Sequence, residues 1–372
     1  MDLSLTEEQE LLRSAARDFM EREGSKETLL EFDESETGYS VDIWQKASDI
    51  GWLGMLVAEE YGGSGNSLTD AAVVYERLGA GPLSGPFFSS GVLGALAVAE
   101  AGTDEQRSRW LPNIASGREI VTLALTEPEY GWGAESVQMR AQRTDSGYVL
   151  NGAKLFVHDA KAATTLICAV RSSGREGVTL LMVDSRAPGL STRLLPGFMG
   201  WVGEVVFEDV EVPSDAVLGE LGGGWQPLQS AFRKAIPVLC AYKVGGAQAV
   251  FDMTLEYSRT RIQFGTPIGR FQRVQDHIVE MVNHLDAARW TTYESLWKLD
   301  TGRRDDASVH LAKTVASEGY YQGCNHSHEV HAGIGVVREY GLTLHTRMSR
   351  TLYHYLGDPR FHRKKIGDAL LG

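Results

Sequence analysis

The sequence predicts a mainly α-helical protein with a central β-domain, on three observations taken in chain order. Apolar residues recur at helical spacing through the first third, gather into short β-branched runs from Ile120, and return to long helical stripes after Gly222-Gly-Gly224. Domains are therefore expected at 1–119, 120–217 and 218–372. The chain has 372 residues, 43% hydrophobic and 23% charged, which gives it a globular composition and enough length for two or three packed domains.

In the first third, Thr6-Glu-Glu-Gln9 has the form of a capping box, and Leu11, Leu12, Ala15 and Phe19 follow at one-turn spacing. Further helices are expected at 41–50, 68–78, 91–101 and 104–116, broken at Gly62-Gly-Ser-Gly65 and at Gly81-Pro-Leu-Ser-Gly-Pro86. The strand-like runs are 120–125, 148–157, 164–170, 178–183 and 202–212, with Arg171 to Gly177 as a hairpin loop. Phe271, Val274, Ile278, Met281, Leu285 and Ala288 form one stripe of a long helix.

Charge and composition exclude several classes. A formal net charge of −13 opposes nucleic acid and acidic membranes. The cluster Arg347, Arg350, Arg360, Arg363, Lys364 and Lys365 reads as a solvated basic end or an interface surface. No apolar run has bilayer length and the first thirteen residues are acidic, so no membrane span or export signal is read and a cytoplasmic location is expected. Cys168, Cys240 and Cys324 are odd in number and widely spaced, which reads as buried thiols. Cys324, His328 and His331 share a helical face, but the further converging ligand a metal needs exists only on paper, and no metal is expected.

Four segments occur in a telling order: Leu123-Ala-Leu-Thr126-Glu-Pro128, Asn151-Gly-x-Lys154, Phe207-Glu-Asp-Val-x-Val-Pro213, and Arg261-x-Gln-Phe264-Gly-x-Pro-Ile268-x-x-Phe271-Gln272. Together they resemble the acyl-CoA dehydrogenase family over nearly the whole chain. The resemblance implies a helical N-terminal domain, a β-barrel-like middle domain and a C-terminal four-helix bundle, usually assembled as a tetramer with FAD where domains and two subunits meet. It also implies an acyl-CoA substrate and electron-transferring flavoprotein as acceptor. In the family's reaction a carboxylate removes the Cα proton while a hydride leaves Cβ for the flavin. Such a base typically contributes a factor of about 10² to 10⁴.

That carboxylate is missing from both positions where the resemblance would put it. An ungapped match from His331-Ala-Gly333-Ile-Gly335 to Arg363 sets Tyr355-Leu356-Gly357 on the family's Tyr-Glu-Gly, so Leu356 stands for the glutamate. The alternative position, counted back from Tyr257 and Arg261, holds Ala235, followed by Ile236 and Pro237 where relatives carry an arginine. A leucine accepts no proton at any pH. Asp358 is the fallback, and strand-like spacing would aim it about 6–7 Å away.

The flavin contacts implied by the resemblance are kept unevenly. Arg261, Phe264 and Gln272 match residues that reach the neighbouring subunit's FAD, although Phe264 could instead pack a helix start. Leu125, Thr126 and Phe156 match the isoalloxazine side, with Phe156 in place of a tryptophan. His158 replaces a small hydroxyl residue and reads equally as a hydrogen-bonded, partly buried imidazole. Trp132 replaces a phosphate-contacting serine, and Glu329 replaces a glutamine on the adenosine side, near Gly333. Three readings follow. The first is the non-catalytic subunit of a hetero-oligomer whose homologous partner holds the base, as in relatives acting on steroid side chains or ring acids. The others are a self-sufficient flavin enzyme with an unusual base and a non-enzymatic acyl-CoA- or partner-binding scaffold.

Overall fold

The computed structural model describes residues 4–35, 37–172, 176–199, 201–303 and 305–371. In chain order the helices and strands are α1 (Glu7–Glu23), α2 (Lys26–Glu34), α3 (Val41–Asp49), α4 (Leu68–Ala80), α5 (Ala95–Ala101), α6 (Asp104–Ala115), β1 (Val121–Ala124), β2 (Arg140–Arg143), β3 (Gly147–Val157), β4 (Thr165–Ser172), β5 (Thr179–Asp184), β6 (Leu190–Leu194), β7 (Gly203–Pro213), β8 (Val217–Leu218), α7 (Trp225–Thr260), β9 (Ile262–Gln263), β10 (Thr266–Pro267), α8 (Gln272–Asp300), α9 (Asp306–His331), α10 (Leu342–Tyr353) and α11 (Pro359–Leu371). Two compact units result. One is helical and comprises Met1–Glu34, Leu68–Leu83 and Ile236–Gly372; the other comprises Ser35–Ser67 and Ser84–Ala235.

The helical unit is tied by caps and buried polar pairs that join distant segments. Thr6 and Gln9 form the expected capping box at the start of α1. The N-terminus of α4 is capped from far along the chain: Asp300 Oδ1 accepts the Leu68 N–H and Oδ2 the Thr69 N–H, each at 3.0 Å. Buried Glu76 of α4 accepts from Arg289 at 2.9 Å and from the Tyr293 hydroxyl at 2.6 Å, both on α8. A side chain on Gly79 or Gly245 would strike the backbone carbonyl of Tyr242 or Glu76, so these glycines permit the close crossing of α4 and α7. Of the predicted α8 stripe, Met281, Leu285 and Ala288 are buried, whereas Phe271 is exposed.

The second unit holds an eight-stranded sheet: seven strands in the order β6-β7-β3-β2-β4-β5-β8, and β1 as the eighth, paired with β4. β4 runs parallel to β1 and β2, and the other pairs are antiparallel. Leu150, Leu166, Cys168, Leu181, Val205 and Phe207 are among its core side chains. All three cysteines are buried free thiols, as expected. β2 (Arg-Ala-Gln-Arg) and β6 (Leu-Ser-Thr-Arg-Leu) escape sequence reading because they are largely polar and partly exposed. The helix expected at 91–101 begins earlier, as a buried π-helical turn Phe87–Gly94 directly after Pro86. β4 and β5 pair antiparallel with Val170 opposite Thr179, and residues 173–175 of the expected hairpin loop lie outside the described residues. Among the described residues no helix is long and apolar enough to cross a membrane.

Candidate functional site

Two of the sequence segments meet in the central unit through one buried ion pair. Lys154 Nζ donates to Glu127 Oε1 at 2.6 Å, to the Ala169 carbonyl at 2.6 Å and to the Leu125 carbonyl at 3.2 Å. Glu127 in turn accepts from the backbone N–H groups of Gln138 and Met139. The pair locks the 123–128 segment to β3, β4 and the approach to β2. Asn151 does similar work at the surface, exchanging two 2.9 Å hydrogen bonds with Asp209. Both motifs are thus scaffolding for the positions beside them.

Those positions are Leu125, Thr126, Phe156 and His158. Leu125 is buried, and the Thr126 carbonyl accepts the Leu155 N–H at 2.8 Å. Phe156 has φ +53° and remains 36% exposed, its ring in edge contact with both Tyr130 and Phe198. Trp132 packs edge-on against Tyr130. His158 is buried, and its carbonyl accepts the Thr122 hydroxyl at 2.8 Å. Sequence reading missed the next residue. Asp159 is buried at 5% exposure and accepts from Ser89 Oγ at 2.5 Å. Burial pushes its carboxyl up to about 7, against a smaller opposing effect of the Ser89 bond. With His158 and Lys161 close beside it, nothing in the sequence marks Asp159 as buried.

In the helical unit, Arg261, Phe264 and Gln272 surround a tight hairpin joining β9 to β10. Phe264 (φ +50°) and Gly265 (φ +78°) occupy its two central positions, the left-handed pair that a two-residue hairpin turn requires. Phe264 is 93% exposed, with only an edge contact to Phe271. That contact is with the N-cap residue of α8, so Phe264 buries little of itself against that helix start. A phenylalanine here costs roughly 1–2 kcal/mol of backbone strain and recovers little burial. Arg261 and Gln272 are exposed on the same segment, and Glu329 and Gly333 are exposed at and just past the end of α9.

The loop 354–358 between α10 and α11 carries Leu356, also left-handed at φ +59°. Its carbonyls are drawn inward. Lys313 Nζ, fully buried, donates to Gly357 O at 2.7 Å and Tyr353 O at 3.3 Å, while His362 Nε2 donates to Leu356 O at 2.9 Å. Lys313 and the buried Lys243 of α7 both donate to Ser317 Oγ, at 3.2 and 2.7 Å. Burial lowers both lysines, Lys313 to about 8, and for Lys243 the facing Lys313 adds to the lowering. Asp358 does not continue a strand, contrary to the spacing expected for it. It caps α11, its Oδ1 accepting the Phe361 N–H at 2.7 Å. Ala235 and Ile236 are both buried side chains of α7.

The helical face of Cys324, His328 and His331 is occupied by ordinary packing. His331 bonds Tyr340 Oη at 2.9 Å and the Ser327 carbonyl at 2.8 Å, and His328 Nε2 bonds Thr346 Oγ1 at 2.7 Å. Among the described residues no group of three or more potential ligands could hold a metal ion.

Comparison with known proteins matches the N-terminal domain of acyl-CoA dehydrogenases to residues 6–118, the middle domain to 122–210 and the C-terminal domain to 222–371. A 3-(aryl)acrylate reductase of Clostridium sporogenes is 30% identical over 98% of this chain and 99% of its own. Butyryl-CoA dehydrogenase from Megasphaera elsdenii superposes with a TM-score of 0.91 at 27% identity, covering 100% of both chains. A chain of the ChsE4-ChsE5 complex from Mycobacterium tuberculosis superposes with a TM-score of 0.90 at 25% identity, covering 100% of this chain and 99% of that one.

Proposed function

Because the chain belongs to the acyl-CoA dehydrogenase family, we propose that it is the subunit without a catalytic base in a hetero-oligomeric acyl-CoA dehydrogenase. Membership makes it part of an FAD-dependent acyl-CoA oxidoreductase. The finer reading concerns which chain moves the proton. The observation that carries it is Leu356: the loop presenting it is held by Lys313 and His362, yet the side chain it presents is hydrocarbon. Asp358 is committed to the start of α11, and Ala235 offers only a methyl group. A partner with a carboxylate would have to remove the α-proton. The resemblance of a solved heteromeric complex, ChsE4-ChsE5, supports such an arrangement.

The residues present fit a flavin dinucleotide in two portions. Phe156 offers an exposed aromatic face beside Thr126 and Leu125, suited to a flat ring, with His158 on the same segment. Arg261 and Phe264 stand exposed at a strained hairpin and Gln272 at the start of α8, a cation and a ring suited to a pyrophosphate and its neighbours on another subunit. Gly333, with open space around it, suits a close backbone approach, while Glu329 sets a carboxylate where a diphosphate would prefer a neutral group. Bound FAD would supply the hydride acceptor, and electron-transferring flavoprotein would then take up the electrons. This chain's share is to orient and enclose.

Copurification with the product of a neighbouring acyl-CoA dehydrogenase gene tests the reading. A yellow complex that oxidises acyl-CoA only when both chains are present is expected. A flavin-loaded homotetramer of this chain that oxidises acyl-CoA alone would overturn it.

A further inference from the structure

The segment Leu155–Asp159 is held in a conformation that its sequence does not favour. β3 shifts register against β7 between Lys154 and Val157, and two residues of the segment, Phe156 and Asp159, are left-handed at φ +53° and +54°. Neither is glycine, so neighbouring contacts must hold them there. Those contacts include the Leu155 N–H on Thr126 O, the Thr122 hydroxyl on His158 O, the Ala162 and Ala163 N–H groups on Asp159 O at 3.0 Å, and Ser89 Oγ on Asp159 Oδ2 at 2.5 Å. Ser89 belongs to the π-helical turn Phe87–Gly94, every residue of which is buried. Such turns are frequent at functional sites.

A buried carboxylate ordinarily has a cationic partner. Lys154 has Glu127, but among the described residues no basic side chain forms an ion pair with Asp159. A titratable group facing it from another segment is the Tyr39 phenol, pushed up by burial and then by Asp159, and His158 is its ionisable neighbour in sequence.

We propose that Asp159, through Ser89, is the positioning residue that holds Phe156 to His158 in place as the seat of the flavin ring, and that it does so best while it keeps its proton. This rests on the reading that the central unit receives that ring. Ionisation would strengthen the Ser89 bond but leave a charge in apolar surroundings. Burial is the larger of the two effects, so the charged form favours opening of the segment. An asparagine keeps the acceptor for Ser89 and removes the titration.

The experiment measures FAD affinity by flavin fluorescence, and hydrogen exchange of the 155–160 amides corrected for intrinsic rate, between about pH 6 and pH 9. The full chain, Asp159→Asn and Asp159→Ala are compared. The wild-type protein is expected to lose affinity above neutrality, by up to about tenfold per pH unit, with exchange rising in step. Asp159→Asn should bind evenly across the range, and Asp159→Ala should bind weakly throughout. Affinity and exchange independent of pH in the wild-type protein, or Asp159→Asn behaving like Asp159→Ala, would overturn the proposal. If FAD fails to bind at any pH while the exchange step is present in wild type and absent in Asp159→Asn, the positioning stands and the ring-seat reading falls.

Discussion

Each unit buries a lysine against backbone carbonyls, but the charges around the two differ. In the central unit Lys154 faces Glu127 and the carbonyls of Leu125 and Ala169. In the helical unit Lys313 faces the carbonyls of Tyr353 and Gly357, Ser317, and a second buried lysine, Lys243. The first arrangement is electrically balanced and fixes strands. The second sets two facing amines, both lowered by burial, beneath a loop whose half-buried position carries Leu356. The difference separates two tasks that a catalytic loop combines: a backbone can stay caged in a demanding conformation after the side chain it displays has lost its chemistry.

Breaking the balanced site should have the largest effect. Lys154→Met leaves Glu127 as a buried charge without its cation, and denaturant unfolding should show a loss of about 3–5 kcal/mol. At the unbalanced site the two lysines should respond with opposite signs. Lys313→Met orphans the inward-facing carbonyls of Tyr353 and Gly357 and should cost about 1–3 kcal/mol. Lys243→Met removes one of two facing amines and should be neutral or stabilising by about 1 kcal/mol. A loss of stability in Lys243→Met equal to that in Lys313→Met would erase the contrast.

The same pair predicts a pH dependence. Both lysines have folded values below the ordinary 10.5, Lys313 at about 8. Between about pH 8 and 10.5 the unfolded chain therefore holds more protons than the folded one, and stability should rise with pH across that window. The contribution is fully present above the unfolded value and is lost as pH falls through the folded one. Thermal melts should show the rise, and Lys243→Met should reduce it. The smallest expected effect is at the hairpin. Phe264→Gly relieves left-handed strain and should stabilise the isolated chain by about 1 kcal/mol while weakening flavin retention in the assembled complex. Unchanged retention would show that Phe264 touches no cofactor.

Much of this architecture was legible in the sequence because it is written in periodicity. The capping box at Thr6, the apolar strands β1, β3, β4, β5 and β7, and the α8 stripe from Met281 onward all follow from spacing. β2 and β6 were not legible, since their Arg-Ala-Gln-Arg and Leu-Ser-Thr-Arg-Leu segments bury few side chains, chiefly Ala141 and part of Leu190, and otherwise rest on strand pairing. Of the site residues, Leu356 and Phe264 could be singled out by position, but their left-handed backbones could not. Lys243 and Asp159 were invisible for a shared reason. A charged residue reads as a solvated face, and only the packed structure shows both enclosed. Glu127 with Lys154, and Asn151 with Asp209, read as separate motifs until the fold joined them.

On the reading proposed above, this polypeptide contributes no proton acceptor to α,β-dehydrogenation. The most direct measurement is anaerobic bleaching of bound flavin on mixing with acyl-CoA, made on the FAD-loaded chain, on its Leu356→Glu variant and on the complex with a base-containing partner. The account predicts no bleaching by the chain alone, bleaching by the complex, and a gain of about 10² or more in Leu356→Glu, whose loop is already held in place. Rapid bleaching by the unmodified chain alone would contradict it.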